Sequence, residues 1–138
     1  MTYDGSTADP SRPPLCQGGP GVCSSPALPT FWSETTETWR STASAVFKNA
    51  DVEIVLGLIE CASAGDPDYH SDNSDAVGPL WGLFGFAEAF WPIHAHHALV
   101  AGYTNGLDVT SPADQFTVAA YLIYATPQGF AWFTKEVS

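Results

Sequence analysis

The chain has 138 residues and a formal net charge of −11, from fifteen Asp and Glu against four Lys and Arg. That length fills one compact core rather than two, and the acid excess excludes a nucleic-acid partner or an anionic membrane surface, both of which need a basic patch. No apolar run approaches the length of a membrane span.

The first residues, MTYDGSTADPSRPP, have neither the basic start nor the apolar stretch of a standard secretory signal. Residues 1–29 are rich in Pro, Gly and Ser without apolar period, so they are expected to form an extended arm. Cys16 and Cys23 flank the loop CQGGPGVC and have the chemistry to close a small disulfide ring, which favours an oxidising compartment. Cys61 falls in an apolar helical stretch and is expected to be a buried thiol.

The globular domain is expected over 30–138. SETTETWRSTASAVFKN predicts one helix with Trp39, Ala43, Val46 and Phe47 on its apolar face, capped by Ser33. DVEIVLGLIECASAG predicts a second helix, apolar on nearly every side and therefore central and buried, ended by Gly65 and Asp66-Pro67. DPDYHSDNSDAVG reads as a polar loop, and PLWGLFGF as a short hairpin or irregular segment broken by glycines. Pro92 suits the first turn of a helix over about 91–103. Ser111, Pro112 and Asp114 open another, with Phe116, Ala119, Ala120, Ile123 and Tyr124 as its core stripe. FAWFTK makes a final apolar turn, so the fold class is mainly α with one short β or irregular element.

In order, these segments are a buried helix ending Cys-Ala-Ser-Ala-Gly-Asp-Pro, a polar loop, Gly-Leu-Phe-Gly-Phe, and a Tyr-bearing helix before Thr-Pro-Gln-Gly-Phe-Ala-Trp-Phe. Over residues 50–138 this order resembles the lysozyme-like superfamily: lytic transglycosylases, resuscitation-promoting-factor-type domains, and phage tail or lysin domains. Their usual pattern is Glu-Ser-Gly-Gly-Asn-Pro, a loop, then Gly-Leu-(Phe/Trp)-Gln-(Phe/Ile). The resemblance implies an α+β lysozyme-like fold without cofactor. It also implies action on the β-1,4 bond between N-acetylmuramic acid and N-acetylglucosamine of peptidoglycan. A wall, extracellular or phage-virion setting follows, with the chain a monomer or part of a virion assembly.

Two positions depart from the pattern. Aligning Ser63 and Pro67 with the family places Ala62 where the catalytic glutamate stands, and Gly85 where the glutamine stands; Gly82 offers an alternative register for the second. A carboxyl in an apolar pocket keeps its proton near neutral pH and delivers it to the leaving oxygen. Alanine has none to deliver, and loss of a general acid typically costs about 10²–10⁴-fold. Either an engineered replacement or a natural loss, leaving a glycan-binding or structural module, leads to Ala62. Glu60, the fallback acid, lies about 200° around the helix from residue 62 and is expected to point away from it.

Asp72 and Asp75 form the preferred loop pair for a second carboxylate, which an inverting hydrolase needs and a transglycosylase does not. Ser63, Trp81, Phe84 and Gly85 are candidate substrate contacts, with Trp81 the best sugar-stacking side chain; the alternative for the aromatics is the core. Tyr121 and Tyr124 sit where the family keeps a tyrosine near its acid, or are core tyrosines. His94 and His97, three apart on one helical face, give a weaker zinc alternative that lacks a nearby third ligand.

Overall fold

The computed structural model describes residues 32–71 and 79–133. They form a mainly helical domain with a small antiparallel sheet. In order the elements are α1 (Glu34–Glu37), α2 (Arg40–Val46), a 3₁₀ turn (Asn49–Asp51), α3 (Val52–Ser63), β1 (His70–Ser71), β2 (Leu80–Trp81), β3 (Phe86–Ala87), α4 (Trp91–Val100), α5 (Pro112–Ala125) and a closing 3₁₀ turn (Gly129–Trp132).

α3 is the central helix. Every residue from Val55 to Ser63 is buried, because apolar side chains occupy nearly its whole circumference. Its neighbours are α1 and α2. Around it the phenyl rings of Phe47, Phe84, Phe86, Phe116 and Phe133 make a connected cluster with centroids 5.4–6.5 Å apart.

The expected single helix through Trp39 is instead two. Thr38 Oγ1 donates to the Thr35 carbonyl, Trp39 N bonds Thr36 O in a tight i−3 turn, and the Trp39 indole N–H reaches the Gly65 carbonyl at 2.9 Å. A threonine that bonds its own backbone weakens the helical ladder at that point.

α3 ends at Ser63 with Ala64 as its C-cap, and Gly65, the glycine expected to end it, follows. Ala64 is in the left-handed region at φ 55° and Gly65 follows at 86°. Only the second position demands glycine for space, because a Cβ there would stand 2.6 Å from Thr36 N. α4 ends at Val100 and not near 103: Tyr103 N bonds Ala98 O and Gly102 N bonds Leu99 O, with Gly102 at φ 83°. This is the paired closure of a Schellman motif. Ser111 caps α5 as expected, its hydroxyl accepting from Asp114 N at 3.3 Å.

The Gly-broken segment is a hairpin. β2 pairs with β3 in the register Leu80–Ala87 and Trp81–Phe86, closed by Gly85 N bonding Gly82 O, and β1 pairs on the other edge of β2. Cys61 is disulfide-bonded, which corrects the buried-thiol expectation. With three cysteines in the chain, that bond competes with the expected Cys16–Cys23 ring, which lies outside the described residues. The proposed arm over 1–29 also lies outside them.

Candidate functional site

The last turn of α3 and the β2–β3 turn meet directly. Ser63 Oγ donates to the Leu83 carbonyl at 2.9 Å and lies 3.0 Å from Ile59 O, while Gly65 N donates back to Ser63 Oγ. Ser63 is thus a buried strut holding the two segments together, not an exposed ligand contact. One hydroxyl satisfies groups from helix, cap and hairpin, which is the economical way to bury a polar side chain.

A second strut was invisible to motif reading. Gln115, fully buried on α5, accepts from Leu83 N at 2.9 Å and donates to Pro67 O at 3.2 Å and Val109 O at 2.7 Å. It joins the loop after α3, the hairpin turn and the loop before α5. The signal in the sequence is a glutamine on the stripe of Ala119 and Ile123, a polar residue where the helix is otherwise apolar.

Ala62, on the last turn of α3, is buried in the core with 8% of the residue exposed. Glu60 is buried and turned toward α1: its Oε1 accepts from Ser33 N, Ser33 Oγ and Thr36 Oγ1 at 3.0, 3.1 and 2.7 Å. A carboxylate holding three donors at the start of α1 serves the fold. It is a correction to its role as fallback acid, since its oxygen is committed away from residue 62. Asp72 and Asp75 lie outside the described residues.

Trp81 is half-buried on the central strand of the sheet. Its indole N–H donates to Glu88 Oε1 at 2.9 Å, and His70 from β1 stacks on it at 4.1 Å between centroids. Trp81 is the one candidate aromatic of the hairpin that reaches the surface. Phe84 does not: it is 1% exposed within the phenyl cluster, which corrects the sugar-stacking assignment. Gly85 is in the left-handed region at φ 67°, where glutamine is disfavoured, so backbone geometry and residue choice agree at this position.

Tyr124 is also structural. Its hydroxyl donates to Asp51 Oδ2 and accepts from Lys48 N at 3.0 Å, tying α5 to the turn before α3. Burial and the Asp51 bond raise its pKa. Tyr121 faces a different region, a groove of about 420 Å³ lined with His96, His97, Val100 and Ala101.

His94 is half-buried against Trp132, with centroids 4.9 Å apart and the rings edge to face. Burial, then the neighbouring charge of His97, holds its pKa below the ordinary value. Among the described residues, no group of three or more His, Cys, Asp or Glu is placed to hold a metal ion. Trp81 is therefore the partly exposed aromatic of the hairpin, and residue 62 carries no acid. Compared with family models, curated proteins and solved structures, the chain matches none.

Proposed function

We propose that this chain is a peptidoglycan-directed domain of lysozyme-like type that binds glycan strands without cleaving them. The observation that carries the reading is the pairing at the end of α3. Residue 62, the position of the general acid in the family resemblance, bears a methyl group, and the nearby carboxylate of Glu60 is held by Ser33 and Thr36. Two requirements for glycosidic cleavage, an acid and its placement beside the bond, fall together at that position.

The half-buried Trp81 supports binding. The apolar face of a sugar packs on indole, and the Glu88 and His70 contacts fix the ring before a ligand arrives, which lowers the ordering cost. The partner is the alternating N-acetylmuramic acid and N-acetylglucosamine strand, in a bacterial wall, extracellular or phage-particle setting.

Co-sedimentation with purified insoluble peptidoglycan, run beside a turbidity assay, tests the proposal. The native chain is expected to pellet with the wall material and leave turbidity unchanged. Absence from the pellet overturns the binding reading, and clearing by the native chain overturns the non-cleaving one.

A further inference from the structure

Cys61 lies on the last turn of α3, is 1% exposed and is disulfide-bonded. The chain has two other cysteines, Cys16 and Cys23, in CQGGPGVC. The polypeptide enters the described domain at the end of α3 that carries Cys61. Ser33, which caps α1, donates from its N and Oγ to Oε1 of Glu60, the residue before Cys61, at 3.0 and 3.1 Å. Thr36 Oγ1 on Glu60 and the Trp39 indole on Gly65 hold the same entry in place.

Sequence separation sets the closure entropy of each pairing. In the unfolded chain a bond from Cys61 closes 38 residues to Cys23 or 45 to Cys16, whereas Cys16–Cys23 closes seven. The cost of closure grows as roughly (3/2)RT ln n, so the small ring is favoured on the order of 10-fold. Folding changes the comparison. With Ser33 held on Glu60, only ten residues separate Cys23 from the anchored chain, and seventeen separate Cys16 from it. Most of the long loop is then already closed by the packing of the domain.

We propose that Cys16, Cys23 and Cys61 are a thiol–disulfide exchange set: the folded domain keeps the bond on Cys61, and unfolding passes it to a Cys16–Cys23 ring. One bond takes two of the three cysteines and leaves one N-terminal thiol, seven residues from the bonded N-terminal cysteine. Its thiolate attacks the sulfur of that cysteine. The new S–S bond forms as the bond to Cys61 breaks, and the departing Cys61 thiolate takes up the proton that the attacker lost. No oxidant or reductant is consumed. The device makes the attachment of the N-terminal residues report the integrity of the domain: two tethers, Ser33 and Cys61, when folded, and one after exchange.

Tryptic mapping of the full chain without reduction, after thiols are blocked with iodoacetamide, tests this. Cleavage at Arg40 and Lys48 separates Cys16 and Cys23 from Cys61. In native buffer at pH about 8, where thiolate is plentiful, the two cysteine-bearing peptides are expected to be joined, with the label on Cys16 or Cys23. After hours in concentrated urea, time enough for disulfides to reshuffle, they are expected to separate and the label to move to Cys61. The ring is expected to outnumber the joined form roughly 10-fold there, and removing urea to restore the join. Cys16→Ser and Cys23→Ser each leave no ring to form, so both are expected to stay joined in urea. Label on Cys61 in native buffer overturns the proposal. So do peptides of the native chain that stay joined in urea, single variants that separate there, or a third thiol bonded to a second copy of the chain.

Discussion

Gly82 and Gln115 are packed so closely that a Cβ added to the glycine would stand 2.7 Å from the Gln115 amide carbon. A flexible side chain could swing aside, but this amide is held by Leu83 N, Pro67 O and Val109 O. Gly82 itself is at φ 81°. Gly82→Ala therefore adds left-handed strain to an overpacked contact, and is expected to lower unfolding free energy by about 2–4 kcal/mol. Urea denaturation measures it. A midpoint within error of the native chain would show that Gln115 is not the anchor described.

Glu60→Ala removes one acceptor from three buried donors, Ser33 N, Ser33 Oγ and Thr36 Oγ1. The expected loss is about 2–4 kcal/mol, with Glu60→Gln milder because it keeps an oxygen acceptor. Wall binding by the folded fraction is expected to stay unchanged, because the carboxylate faces α1. A folded Glu60→Ala chain that no longer binds would return Glu60 to the site.

Ala62→Glu places a carboxyl in a largely apolar position, where burial raises its pKa toward the range a general acid needs. Turbidity clearing of wall suspensions is expected to appear with this variant. Continued binding without clearing would mean that the surroundings, including Gly85, no longer support the chemistry. Trp81→Ala is expected to weaken wall binding about 10-fold, from loss of the stacking surface.

His94 sets a pH dependence of stability. Its folded pKa lies below the ordinary value because of burial and His97. Above pH about 6.5 it is neutral in both folded and unfolded chains, so it contributes no slope. As pH falls below that, the unfolded chain takes the proton first and stability declines. The decline levels off once pH drops below the folded pKa. Thermal unfolding between about pH 7 and 5 is expected to show a falling midpoint, and His94→Gln a flatter profile. Equal slopes in the two proteins would remove His94 as the cause.

The Cys61 disulfide joins the last turn of α3, and its reduction is expected to lower stability by about 2–4 kcal/mol. A reducing agent that leaves the denaturation midpoint unmoved would contradict that contribution.

The sequence by itself determined the mainly helical class and the central and C-terminal helices. Apolar residues around nearly the whole of α3 require a central helix, Ser111-Pro112 marks the start of α5, and the glycines of PLWGLFGF rule out a helix there, leaving a short hairpin or irregular segment of which the structure shows the hairpin. Periodicity and capping are local, so they survive in one dimension.

Only the tertiary structure decided the roles of the polar and aromatic side chains. Ser63 and Gln115 became struts, Glu60 turned to α1, and Phe84 entered the core while Trp81, three residues away, reached the surface. Each outcome depends on a partner 20 to 32 residues distant for the struts and on which hairpin face meets α3 for the aromatics. Linear spacing carries no record of such partners, because the hydrogen bonds that fix them form only when separate elements pack.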